Sequence, residues 1–111
     1  MEDVVQPTVA LVEGAGGGAL RLLRDVLISD VRLFYEELSM ATAQAHDVFI
    51  DCSDVGYLCG AAWQVLLSLK IELRGRSAEL LLKNLSPNLQ RASQVLGLDE
   101  QFCGEGHAAL S

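Results

Sequence analysis

The strongest constraint in the sequence is a pair of short, nearly continuous apolar runs, Val48 to Cys52 (VFIDC) and Ala78 to Lys83 (AELLLK). Runs this short, with little polar alternation, suit strands buried on both faces of a sheet. Between them, Gly60 to Arg74 has helical periodicity. Ala62, Leu66, Leu69 and Leu73 form one apolar face, and Gln64, Ser68 and Glu72 form a polar stripe at i, i+4, i+8. Trp63, Leu67 and Ile71 make a further apolar ridge beside that stripe, and Arg74–Gly75 supplies a terminal charge and a stop signal. Two strands joined through a helix pair in parallel by a right-handed crossover, so a layered α/β domain is dictated.

The flanking segments extend this pattern. Thr8 to Glu13 reads as a first strand, bounded by Pro7 and Gly14, and Ala19 to Leu23 as the second strand of a hairpin. The glycines between them, with Gly14, Gly16 and Ala19, loosely fit a GxGxxA dinucleotide fingerprint. That fingerprint needs a helix opening directly after the glycines, whereas Leu20–Arg21–Leu22 alternates like a strand. Ser29 or Asp30 can cap a helix with Val31, Phe34, Leu38 and Ala41 on its buried face and Arg32, Glu36 and Glu37 elsewhere, ending around Gln44 to His46. Ser86 followed by Pro87 starts a last helix, with Leu89, Ala92 and Leu96 as its buried face and Gly97 as its end. The element order is β-β-α-β-α-β-α, in a mixed sheet with helices packed on it. One domain is expected over residues 1–111, with a core from about 8 to 103 and a short tail at 104–111.

Charge and cysteine usage narrow the function. Eight basic residues stand against 15 acidic ones, a formal charge of −7. A chain so acidic has no footprint for nucleic-acid phosphates or for an anionic membrane surface. Cys52, Cys59 and Cys103 lack CxxC and zinc-finger spacing, so neither a metal nor a cofactor is expected. The start MEDVVQPTV lacks a signal peptide's basic and apolar regions. The best apolar stretch, Gly60 to Ile71, is interrupted by Gln64, Ser68 and Lys70. A cytoplasmic protein with reduced thiols, not inserted in a membrane, is the expectation. The mean hydropathy of +0.29 implies more aliphatic surface than a small core needs. The second helix is where the surplus is expected, for a partner to bury.

In such sheets function gathers beyond the carboxyl ends of the strands, here at Asp51 to Trp63. The string DCSDVGYLCGAAWQVLL resembles the signature of STAS domains, the fold of the anti-sigma factor antagonists. Their pattern is Asp–apolar–Ser, then x-Val-x-aromatic-Ile-Asp-Ser-Ser/Thr-Gly-Leu and an aliphatic helix; Asp51, Ser53, Val55, Tyr57, Leu58 and Leu66 match it. The stretch Ala78 to Phe102, with NLSPNLQRASQVLGLDEQF, is similar to the family's closing strand and helix. Where the family has an Asp this chain has Cys59, and where it has the regulatory Ser or Thr it has Ala61, between Gly60 and Ala62. In phosphorylated members a partner kinase modifies that hydroxyl, and an added charge of about −2 disfavours the interface. Alanine accepts no phosphate. The resemblance therefore implies a module held in its binding-competent form, or one whose partnership never used phosphorylation.

What the resemblance implies is a non-catalytic protein-interaction module. Its partner would be a histidine-kinase-fold anti-sigma factor, a signalling kinase of a bacterial chemotaxis cluster, or the ATPase of an ABC transporter, lipid transporters included. Assembly with further copies of the chain also stays open. The partner surface is expected at Ser53, Asp54, Tyr57, Leu58, Cys59, Gly60, Ala61, Ala62, Trp63 and Leu67. Several of these residues carry two readings. Ser53 is either a substitute phosphosite or a turn residue bonded to its own backbone. Cys59, near a helix N-terminus, is either a reactive thiol or a small apolar filler. Trp63 is either core or an interface hot spot. A thiol enzyme using Cys59 needs a base, for which His46 and His107 are poorly placed. A nucleotide site at Gly14 to Gly18 lacks the P-loop's Lys and Ser/Thr.

Overall fold

The computed structural model describes residues 6–12, 18–43 and 46–98. The two apolar runs are strands β3 (Val48–Asp51) and β4 (Leu80–Lys83), joined through helix α2 (Gly60–Arg74). Before them come β1 (Val9–Leu11), β2 (Ala19–Leu22) and α1 (Val31–Thr42), and after them α3 (Pro87–Val95). The sheet order is β1-β2-β3-β4, with β1 antiparallel to β2 and the other pairs parallel. The expected mixed α/β architecture is thus present, and β1–β2 is the hairpin rather than a nucleotide fingerprint: Ala19 lies in a strand, with no helix opening after it. Residues 13–17, which carry Gly14 and Gly16, lie outside the described residues.

Side-chain alternation builds the layers. Leu20, Ile50 and Leu82 are register partners on one face, as are Val48 and Leu80, and all are buried. Helices α1 and α2 contact each other over this face, α1 reaching β1 and α2 reaching β4. The opposite face carries Ala10, Arg21, Asp51 and Lys83 in one cross-strand row and Ala19, Phe49 and Leu81 in the next. The Lys83 ammonium lies 4.7 Å from the centre of the Phe49 ring, a cation–π contact.

Three helix details depart from the periodicity. Neither Ser29 nor Asp30 caps α1 through its side chain. Asp30 instead accepts the Leu27 amide and pairs with Arg24, and these contacts, the Leu27 bond first, hold its carboxyl below the usual range. Glu37 faces inward enough to accept both the amide and the hydroxyl of buried Thr8, tying α1 to β1. On α3, Ser86 caps the Leu89 amide as expected, but the buried pair is Leu89 and Ser93, while Leu96 stands half exposed. Leu96 falls at the C-cap, beyond the last turn that faces the core. Gly97, at φ +74, then closes the helix, with Leu98 donating to the Ser93 carbonyl.

Helix α2 explains the fate of Trp63. Residues at i, i+4, i+8 advance about 40° per step around a helix of 3.6 residues per turn. The ridge Trp63–Leu67–Ile71 therefore winds from core to solvent: Trp63 is 1% exposed and Ile71 64%. Lys70, which interrupts the apolar run in the sequence, is 5% exposed. Its stem lies in the core and its ammonium reaches the Glu79 carboxylate at 3.4 Å and the Leu80 carbonyl at 3.3 Å.

The stop after α2 is set by Ser77, not Gly75. Ser77 sits at φ +62, and Ala78 donates to the Leu73 carbonyl in the six-to-one bond of a Schellman turn. A non-glycine residue there holds a left-handed conformation at a cost near 1 kcal/mol. Ser77→Gly is expected to raise the unfolding free energy by about 1 kcal/mol, read from urea denaturation. An unchanged or lower midpoint counts against it.

Candidate partner-binding site

The chain leaves β3 at Asp51, whose carboxylate accepts the Asn84 side-chain amide at 3.1 Å and the Ser53 amide at 3.0 Å. These bonds, Asn84 first, hold the Asp51 carboxyl below the usual carboxylate range. Asn84 tolerates its positive φ of 59 because its short amide suits that conformation. Asp51 is thus a turn clamp joining the ends of β3 and β4. Beside it, burial and then the Asp51 charge push the Cys52 thiol up to about 12, so it stays protonated.

The loop's second half is fixed by a segment absent from the motif. Asp25 accepts the amides of Gly56 at 2.8 Å and Tyr57 at 3.2 Å. Val26 forms a parallel bridge with Leu58, donating to the Tyr57 carbonyl and accepting from the Cys59 amide. Val26 and Leu58 therefore point into the core, while their neighbours Leu27 and Tyr57 turn outward, 51% and 50% exposed. Ile28, at 74%, extends this apolar surface. Leu27 and Ile28 lie some thirty positions before the loop. The signal that could have found them is two adjacent large aliphatics directly before a helix start.

The ten expected site residues divide cleanly. Ser53, Asp54, Tyr57 and Gly60 are exposed, and Ala61 and Leu67 are half buried. Leu58, Cys59, Ala62 and Trp63 are buried, which corrects their placement on a contact surface. The bridge turns Leu58 inward, and the inner face of α2 takes Ala62 and Trp63. Cys59 is the N-cap residue of α2, its thiol making no cap bond and its carbonyl accepting from Ala62 and Trp63. That geometry accords with the apolar reading of Cys59. Asp54 pairs with Arg21 at 3.6 Å, both largely exposed, so the pair is worth little.

The surplus of aliphatic surface also needs correcting. Among the described residues of α2 only Ile71 is a large exposed apolar side chain. The others lie at Leu11, Val12, Leu23, Leu27, Ile28, Tyr35, Met40, Tyr57, Val95 and Leu96.

No metal-holding group of three His, Cys, Asp or Glu occurs among the described residues, and no described helix is long and apolar enough to cross a membrane. A small cavity of about 210 Å³ between α1 and α2 carries Ser39, Ser68 and Glu72, without a histidine beside them. Cys103, His107 and the tail lie outside the described residues.

A mixed four-stranded sheet with its helices and a clamped loop before α2 defines the class, a layered α/β domain of the anti-sigma factor antagonist fold. The structure of the anti-sigma factor antagonist SpoIIAA in its unphosphorylated form superposes at a TM-score of 0.69, with 17% identity over 88% of this chain and 90% of that one. An anti-sigma factor antagonist candidate from Thermotoga maritima superposes at 0.70, with 14% identity over 92% and 89%. No curated protein matches the sequence. The profile of the STAS_2 family, described as Mlab, STAS domain, matches residues 10–105, and the chain belongs to that family.

Proposed function

We propose that the chain is a non-catalytic regulatory module that works in the cytoplasm by binding another protein through the surface of Tyr57, Leu27 and Ile28, with Ser53, Asp54, Gly60 and Ala61 at its margin. The observation that carries this reading is the exposed apolar trio, held rigidly by the Asp25 clamp and the Val26–Leu58 bridge. Rigid, exposed aromatic and aliphatic side chains make hot spots at low entropic cost. The family points to a histidine-kinase-fold ATPase as partner, in sigma-factor regulation or chemotaxis. Ala61 favours a second reading, a constitutive subunit bound to an ABC transporter ATPase, because a position without a hydroxyl cannot switch by phosphorylation.

Affinity capture of the tagged protein from its native cytosol, with mass spectrometry, separates these partners. Tyr57→Ala is expected to lower recovery of the captured ATPase about tenfold or more, as loss of a hot-spot aromatic does, with an unchanged thermal melt. Undiminished capture by Tyr57→Ala and by Leu27→Asp rejects the surface. Capture of a protein that is no ATPase rejects the partner class.

A further inference from the structure

The two edges of the sheet are finished differently. On β4, strand pairing points the Leu80 backbone away from β3, and its outward carbonyl is taken by the buried Lys70 ammonium at 3.3 Å. On β1, Leu23 donates to the Thr8 carbonyl and Val12 to the Ala19 carbonyl, which makes 8–23, 10–21 and 12–19 the hydrogen-bonded pairs. The amides and carbonyls of Val9 and Leu11 therefore face outward. β1 is guarded only by its shortness, three residues: it holds no charge, no proline and no bulge. Leu11 is 61% exposed, and Met40 of α1, across a shallow groove from it, is 81% exposed.

We propose that β1 is a self-association edge, joining two copies of this chain into one continuous eight-stranded sheet. The hydrogen-bonding pattern is its own complement. A twofold axis at Ala10 sets Val9 against the partner's Leu11, and Leu11 against the partner's Val9, and each pair exchanges two bonds. Ala10 meets its own copy in the non-hydrogen-bonded position, where two methyl groups leave room for close approach. On the helix-facing side Leu11 gains an apolar neighbour from the second copy, and Met40 of each chain stands over the seam. A foreign peptide is the less suited occupant: the carboxylate that lines the groove, Glu37, is already held by the Thr8 amide and hydroxyl, so it is not free to select a basic segment. Three residues per strand make a small interface, so the dimer is concentration-dependent, and the like charges make it stronger at high salt. The edge is separate from the Tyr57 surface, and the inference does not rest on that surface's role.

Sedimentation velocity from about 5 to about 500 µM, the range where small interfaces show, is expected to move the mass from 12.0 kDa toward twice that value. Leu11→Lys places a guard charge on the seam and is expected to shift the midpoint about tenfold or more upward. Leu11→Pro removes only an outward amide, leaving the β1–β2 ladder intact, and is expected to do the same. In a Cys103→Ser background, Ala10→Cys is expected to give a disulfide-linked dimer on mild oxidation, because facing residues at that position lie about 4.5 Å apart. Gln64→Cys, exposed on α2, is the control that stays monomeric. The proposal is overturned by a wild-type chain that stays monomeric throughout, including one that instead captures an extended segment of another protein. It is equally overturned by a dimer indifferent to both Leu11 variants, or by Ala10→Cys cross-linking no faster than Gln64→Cys.

Discussion

Trp63→Ala is expected to cost about 3–5 kcal/mol, the range for removing a large aromatic from a packed core. A domain of this size holds only about 5–15 kcal/mol in total, so the variant keeps little of its stability at 37 °C. Trp63 is among the largest fully buried side chains, and it stands in the first turn of α2, directly behind the clamped loop. Its removal therefore loosens the loop as well as the core. Urea unfolding followed by far-ultraviolet circular dichroism is the measurement, since the variant has no tryptophan to report. Trp63→Phe, which keeps an aromatic ring, is expected to lose less than half as much and to retain partner capture. A loss under about 1 kcal/mol for the alanine variant would mean the indole is not packed as described. The pairing of the two variants also matters for function, because lost binding in Trp63→Ala alone reports unfolding rather than a contact.

Much of this architecture was legible in the amino-acid order, and the reason is local. Strands β3 and β4 and helix α2 each announce themselves within their own residues, by an apolar run or a 3.6-residue period, and their bounds fall within two residues of the reading. The Ser86 cap and the Gly97 stop are equally local signals. The surface was less legible because it is made by distant residues. Asp25 has no feature that marks it as the acceptor for Gly56 and Tyr57, which lie more than thirty positions away. The burial of Leu58 depends on its bridge to Val26, and that of Lys70 on a carbonyl in β4. The motif placed the loop, but which of its side chains face outward was decided by its partner segment. Trp63 shows the same limit at smaller scale: an i, i+4, i+8 ridge drifts around a helix, so one end can be core and the other solvent.

The second large effect lies at the end of the glycine run between the two strands of the hairpin. Gly18→Ala is expected to destabilise the fold by at least about 3 kcal/mol, at the upper end for overpacking. A Cβ built at Gly18 would stand 1.9 Å from the Asp47 carbonyl oxygen and 3.1 Å from its carbon, both backbone atoms. A side chain could rotate away; this carbonyl cannot without moving the chain that leads into β3. The same place carries the first rung between β2 and β3, with Phe49 donating to the Gly18 carbonyl at 2.7 Å. Relief of the clash therefore breaks the parallel pairing that sets the register of Leu20 against Ile50. Gly60→Ala is the matched control, because a Cβ there meets nothing within 4 Å. At the first position of α2, alanine is expected to be neutral or to stabilise by up to about 1 kcal/mol. Thermal unfolding of the two variants tests the contrast: similar midpoints would show that β2 and β3 do not approach at Gly18, whereas a wide separation makes that glycine a requirement of the sheet rather than of the loop.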